Sequence, residues 1–201
     1  MPRRSGDLLE PMKPTGRSAY VLFFAALPPP DIRAQIAVAW RRSDIDARLR
    51  SNVLHLSIQG LVGVNDVPDD LVDGLNRAGE LTQGNSFDLC FDRVEVFGRG
   101  EGNRPVVLST DRKGRGANDL AICIRRALSR VGFPPVDTRK VEPHVTMAYV
   151  PGERNSEKLF QPIHWRVTEF SLVQSVQGEG RHIVLGTWPL VDGVDPQGSL
   201  F

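Results

Sequence analysis

Two tetrapeptides in this chain pair an imidazole with a hydroxyl: His55-Leu56-Ser57-Ile58 and His144-Val145-Thr146-Met147. In a strand, alternate residues share a face, so each tetrapeptide presents its histidine and hydroxyl together while Leu56 or Val145 turns away. Two imidazoles facing each other across a groove suit an in-line displacement at phosphorus. One takes a proton from the attacking oxygen and the other protonates the departing oxygen, and an ordinary histidine pKa near ~6.5 populates both states around neutrality. Ser57 and Thr146 can donate hydrogen bonds to the nonbridging phosphate oxygens. The scheme requires no metal and no cofactor. One such tetrapeptide alone means little, because a lone histidine in a strand is more often a packed or solvated residue than a catalyst. The weight comes from its recurrence at an equivalent place in each half of the chain.

The elements that must position these residues can be read from apolar spacing. Tyr20 to Leu27 is a short aromatic and branched run stopped by Pro28-Pro29-Pro30, which predicts a buried strand. Ile32, Ile36 and Trp40 then recur at helical spacing, with Pro30 and Asp31 at the start and Arg41 and Arg42 at the end. A strand follows at Leu54 to Leu61. After it, Pro68, Asp69 and Asp70 open a helix carrying Leu71, Leu75 and Ala78, weakened by Gly74 and Gly79. Val106 to Leu108 is a strand, Asn118 an expected N-cap for a helix carrying Leu120, Ile124, Leu128 and Val131 that Gly132 ends, and Val145 to Val150 a further strand. Phe87 to Phe97 and Ile163 to Val173 share a slip in alternation, and each precedes a glycine-rich turn and a return strand. The shared pattern predicts an α+β fold of two pseudo-symmetric lobes, each a mostly antiparallel sheet with helices on its outer face and the active-site groove between them.

Composition narrows the function classes. Of 201 residues 40% are hydrophobic and 24% charged, with a net charge of +1, so no global basic field holds nucleic acid and any phosphate must be met by a local cluster. The longest apolar run, Ala19 to Leu27, is too short for a membrane-spanning helix. Residues 1–18 and 192–201 read as tails around a domain at 19–191, the absence of a secretory apolar stretch predicts a cytoplasmic protein, and a monomer is expected. Cys90 and Cys123 read as buried free thiols, and neither they nor the histidines show metal-ligand spacing. His164 and His182 are expected at the surface. Gly98 to Gly102 joins strands and reads as a turn, and Asp111 to Gly116 as a solvated basic loop.

With these residues in place, the chain resembles the two-histidine phosphoesterases, in particular the RNA 2′,3′-cyclic phosphodiesterases historically named 2′-5′ RNA ligases. The resemblance runs from about Arg17 to Leu190 and rests on the paired His-x-[Ser/Thr]-x motif. It is supported by Leu22-Phe23-Phe24-Ala25 with the prolines after it, by Pro143 before the second histidine, and by Ile183-Val184-Leu185-Gly186-Thr187-Trp188-Pro189-Leu190. It implies hydrolysis of a terminal 2′,3′-cyclic phosphate to a 2′-phosphate on RNA ends such as tRNA-like fragments, with reversible 2′-5′ joining in some members. His144 would be the general base, His55 the general acid, and Ser57 and Thr146 the phosphate ligands. Some members carry an arginine two residues beyond the second motif, where this chain has Tyr149, so Arg139, Lys140 or Arg17 would have to supply the charge while Tyr149 hydrogen-bonds phosphate, stacks on a base or packs at a strand end. A cyclic phosphodiesterase for a small nucleotide-derived substrate and a noncatalytic RNA-end binding module are the alternatives.

Overall fold

A computed structural model describes residues 18–98, 102–110, 114–135, 137–151 and 157–192. Arg17, most of both expected tails, the centre of the Gly98 to Gly102 turn and Asp111, Arg112 and Lys113 of the basic loop lie outside the described residues.

Among the described residues three helices and eight strands follow in the order β1 (Tyr20–Ala26), α1 (Pro30–Arg42), β2 (Leu56–Val64), α2 (Asp69–Leu81), β3 (Phe87–Val96), β4 (Asn103–Ser109), α3 (Arg115–Arg130), β5 (His144–Pro151), β6 (Glu157–Val167), β7 (Glu169–Val176) and β8 (Arg181–Pro189). A single 3₁₀ turn, Ser51–Val53, leads into β2. The strands form one sheet in the order β6-β3-β4-β5-β2-β1-β7-β8, and every neighbouring pair is antiparallel.

The α+β class and the antiparallel pairing follow the sequence expectation, with one difference. The two four-stranded halves are joined into one sheet, because β2 and β5 meet through the pair Leu56 and Val145. The segments compared in the sequence also differ in detail. Of Phe87 to Phe97, all but Phe97 form a single strand with an irregularity between Phe91 and Arg93, whereas Ile163 to Val173 is broken at Thr168 into the end of β6 and the start of β7. Their return strands diverge as well, β4 turning inward to β5 and β8 outward to the sheet edge.

One face of the sheet is the core. Leu22, Phe24, Leu56, Val106, Leu108, Val145 and Met147 lie on it, packed with Ile32, Ile36 and Trp40 of α1, Leu75 and Ala78 of α2, and Leu120, Ile124 and Leu128 of α3. Each such side chain contributes on the order of 1.5–3 kcal/mol through burial, and this fixes which face every strand turns to the helices. The opposite face holds a small cluster of Phe23, Ala25 and Val173, and beside it stands His55.

The two glycines that weaken α2 as a sequence are explained by close approach. A Cβ on Gly74 would lie 2.4 Å from the Phe133 ring, and one on Gly79 would lie 2.4 Å from the Trp188 ring. Asn118, expected as an N-cap, is inside α3, whose cap position is Gly114. Its amide instead ties the helix to the chain leading into β5, donating to the Gly114 and Val141 carbonyls at 2.8 and 3.1 Å while its oxygen accepts the Val141 N–H at 2.8 Å. Cys90 and Cys123 are free but only half-buried, since both lie on partly solvated faces. Among the described residues no helix is long and apolar enough to cross a membrane.

Candidate active site

The site is organised about the Leu56–Val145 bridge. Both residues are fully buried on the core side, which turns His55, Ser57, His144 and Thr146 to the opposite face. Carrying the antiparallel register one residue either way sets His55 across from Thr146 and Ser57 across from His144. The two motifs are thus related by a local twofold through the bridge.

Matched contacts fix the two imidazoles. His55 Nδ1 lies 2.8 Å from the Val53 carbonyl and His144 Nδ1 lies 2.7 Å from the Glu142 carbonyl, each two residues back along the chain. A ring nitrogen facing a carbonyl donates, so in both rings Nδ1 carries hydrogen and Nε2 is left to exchange protons. Each ring is backed by a phenylalanine: Phe23 at 4.8 Å from His55 and Phe97 at 5.1 Å from His144, centroid to centroid. The approach to His144 is held by Asn118 through Val141 and by Pro143, which packs on Gly114 so closely that a Cβ there would lie 2.1 Å away.

Both motif strands carry a bulge at the same step. Ala25 pairs with Ser57 and Phe24 with Gln59, leaving Ile58 unpaired, while Val107 pairs with Thr146 and Val106 with Ala148, leaving Met147 unpaired. The extra residue reverses the alternation, so the fifth residue after each histidine returns to the histidine's face. That residue is Tyr149 in one strand and Gly60 in the other, while Gln59 and Ala148 are buried.

Arg50, a residue not singled out from sequence, stands at this face. Its guanidinium carbon lies 5.1 Å from the centroid of the Tyr149 ring, and the Arg50 backbone N–H donates to the carbonyl of the bulged Met147 at 2.8 Å. Arg139 is held elsewhere, its guanidinium paired with the Asp137 carboxylate at 2.8 Å. That pairing holds the Asp137 carboxyl down at about 2, chiefly through hydrogen bonds from Arg139. Lys140 is exposed.

His182, expected at the surface, is half-buried in the site. Its ring sits edge-on to His55 at 4.9 Å and to Phe23 at 5.6 Å. Burial, then the charges of His55 and Arg50, push its pKa down to about 4. Burial also lowers the pKa of His55, assisted by Arg50 and His144 and opposed by the Val53 carbonyl. The surface expectation failed because β8 is laid against β7, which places His182 across from Ser175 and inward of the hairpin turn. His164, by contrast, is exposed beside Cys90.

Two of the cavities that open among the described residues are of similar size. One of about 550 Å³ is lined by Val21, Gly60, Gly63, Thr138 and Arg139, next to Phe23 on the histidine face. The other, of about 560 Å³, lies between α1 and β6, against Val38, Arg42 and Ile163, where none of the site residues reaches.

Comparison with known proteins agrees with this geometry. No curated protein matches the chain significantly in sequence. Among solved structures, a phosphoesterase superposes with a TM-score of 0.67 at 27% identity, covering 86% of this chain and 99% of that one. LigT of E. coli in its apo form gives 0.66 at 27% identity, covering 87% and 99%, and LigT complexed with 3′-AMP gives 0.64 at 27% identity, covering 86% and 98%. The family model of the 2′-5′ RNA ligase superfamily matches residues 28–179, a span that contains both histidine motifs, and the chain belongs to that superfamily.

Proposed function

We propose that the protein hydrolyses the 2′,3′-cyclic phosphate at an RNA end to a 2′-phosphate without a metal, using the groove between the two histidine motifs. The observation that carries this reading is the matched pair of imidazoles on either side of the Leu56–Val145 bridge, each anchored at Nδ1 and free at Nε2. LigT, which shares the fold, is a protein complexed with 3′-AMP, a nucleotide that ends in a ribose phosphate.

In this reading His144 Nε2 takes a proton from water as the water oxygen bonds to phosphorus. The P–O3′ bond breaks on the far side, and His55 Nε2 gives its proton to the departing 3′ oxygen. One proton has entered His144 and one has left His55, and exchange with solvent restores both. Ser57 and Thr146 hold the nonbridging oxygens, and Arg50, braced on Tyr149, supplies the positive charge that Tyr149 itself lacks. The same geometry run with an RNA 5′-hydroxyl in place of water joins two ends through a 2′-5′ linkage.

The deciding experiment offers the purified protein an oligoribonucleotide ending in a 2′,3′-cyclic phosphate, in the presence of a chelator, and identifies the product. A 2′-phosphate formed by the wild type and lost in His55→Ala and His144→Ala supports the reading. Loss of activity on chelation overturns the metal-free scheme, and tight RNA binding without turnover overturns catalysis in favour of an RNA-end binding module.

A further inference from the structure

The local twofold extends beyond the histidines, and where it fails it leaves a cavity. Arg50 lies five residues before His55 and Arg139 five before His144, while Gly60 lies five after His55 and Tyr149 five after His144. On one side of the bridge both partners are present, and Arg50 lies over the Tyr149 ring. On the other side Arg139 has no aromatic ring to cover. Gly60 stands in place of a side chain, and a Cβ built there meets nothing within 4 Å.

The result is the open cavity of about 550 Å³ that Gly60 floors and that Val21, Gly63, Thr138 and Arg139 wall. Its size is that of a small-molecule pocket. It lies along β2, the strand that carries Ser57 and follows directly on His55, and Gly60 pairs with Phe23, whose ring backs His55 at 4.8 Å. Its charge is balanced: the Arg139 guanidinium is held flat against the Asp137 carboxylate by bonds of 3.0 and 2.8 Å. A planar, ion-paired guanidinium beside Val21 and bare glycine backbone suits the uncharged sugar and base of a nucleotide and disfavours a second phosphate.

We infer that this cavity seats the penultimate nucleoside, the one before the nucleoside that bears the cyclic phosphate, and that Gly60 makes the enzyme prefer RNA ends over mononucleotides. The inference rests on the reading of the site as an RNA-end phosphodiesterase and adds the direction in which the RNA leaves the groove. It passes on the Gly60 side, because Tyr149 and Arg50 fill the corresponding space on the other.

The test compares a nucleoside 2′,3′-cyclic phosphate with a dinucleotide ending in the same group, in the wild type and in Gly60→Ala, Gly60→Val and Gly60→Phe. All three residues adopt strand backbone, and thermal melting verifies folding. The wild type should favour the dinucleotide by about tenfold in kcat/KM, the scale of one base laid on the plane of the Arg139 guanidinium. The preference should survive in Gly60→Ala, shrink in Gly60→Val and vanish in Gly60→Phe. Equal wild-type rates on both substrates, or a preference that persists in Gly60→Phe, would overturn the inference. If neither substrate turns over, the phosphodiesterase reading fails, and calorimetric binding of the same mononucleotide and dinucleotide bearing a terminal 2′-phosphate judges the cavity alone by the same pattern of preference.

Discussion

The Arg50 guanidinium lies over the Tyr149 ring with its carbon 5.1 Å from the centroid, joining the turn before β2 to the bulged half of β5. The arrangement puts a positive charge at the face that carries both histidine motifs, the proposed phosphate site, through a residue distant in sequence, and the ring restricts where that charge can go. Arg50→Ala should lower kcat/KM for a cyclic-phosphate substrate by about 10- to 100-fold, in line with loss of one charge-assisted contact. Tyr149→Phe keeps the stacking surface and should fall by less than about threefold, while Tyr149→Ala should cost about tenfold. Because Arg50 is one of the charges that lower the His55 pKa, Arg50→Ala should also raise the His55 titration seen by NMR, partway only, since burial is the larger cause. An unmoved His55 titration would place Arg50 away from the site.

Much of this was legible in the sequence, for physical reasons that also explain what was not. The histidine motifs stood out because a strand with one buried face must alternate, so Leu56 and Val145 necessarily turn the imidazoles outward. The helices were legible through Ile32, Ile36 and Trp40 and through Leu120, Ile124 and Leu128, whose spacing matches their burial. Arg50 and His182 escaped because their place depends on long-range contact, Arg50 through the Met147 carbonyl and His182 through the pairing of β8 with β7. One available signal was overlooked: the adjacent apolar residues Met147 and Ala148 break the alternation of β5 and disclose the bulge that returns Tyr149 to the catalytic face.

The lowered His55 pKa makes a kinetic prediction. In its proposed role of general acid His55 must carry a proton, so activity should fall as pH rises through its pKa. In the free enzyme that value is held below the ordinary one, first by burial and then by Arg50 and His144. A bound phosphate anion favours the protonated ring and raises it. The alkaline limb of kcat, which reports the substrate complex, should therefore lie at higher pH than the alkaline limb of kcat/KM, which reports the free enzyme. Coincident limbs would show that the phosphate does not contact His55.

His182 has a consequence for stability. Its folded pKa of about 4 lies below its unfolded value near ~6.5, so the unfolded chain binds the extra proton between the two. His182 therefore destabilises the fold progressively as pH falls from about 6.5 to about 4, and leaves it unaffected above that window. In His182→Gln the drop in melting temperature between pH 7 and pH 5 should be smaller than in the wild type. An unchanged drop would mean that other groups, such as His55, account for the acid sensitivity.

Asn118 offers a test of how α3 holds His144. Its amide group makes three hydrogen bonds, to the Gly114 carbonyl and to both backbone groups of Val141, three residues before the histidine. Asn118→Ala leaves partly buried backbone groups unpaired and should cost about 1–3 kcal/mol in denaturant unfolding. At a temperature where the variant remains folded, kcat should fall by about tenfold, because the imidazole is no longer held to its working position. A stability loss with wild-type kcat would make Asn118 a purely structural tie.

The division of labour between the histidines is open to a leaving-group experiment. Opening a ribose cyclic phosphate expels an alkoxide, which departs slowly unless protonated, so His55→Ala should lose about 10²–10⁴-fold on that substrate. An aryl phosphodiester such as bis(4-nitrophenyl) phosphate expels a phenolate that needs no proton. On it the loss in His55→Ala should shrink below about tenfold, while His144→Ala, still lacking the group that activates water, should remain as impaired as on RNA. Recovery in His144→Ala instead would exchange the two roles across the Leu56–Val145 bridge, and equal losses in both variants on both substrates would show that neither histidine acts on the leaving group alone.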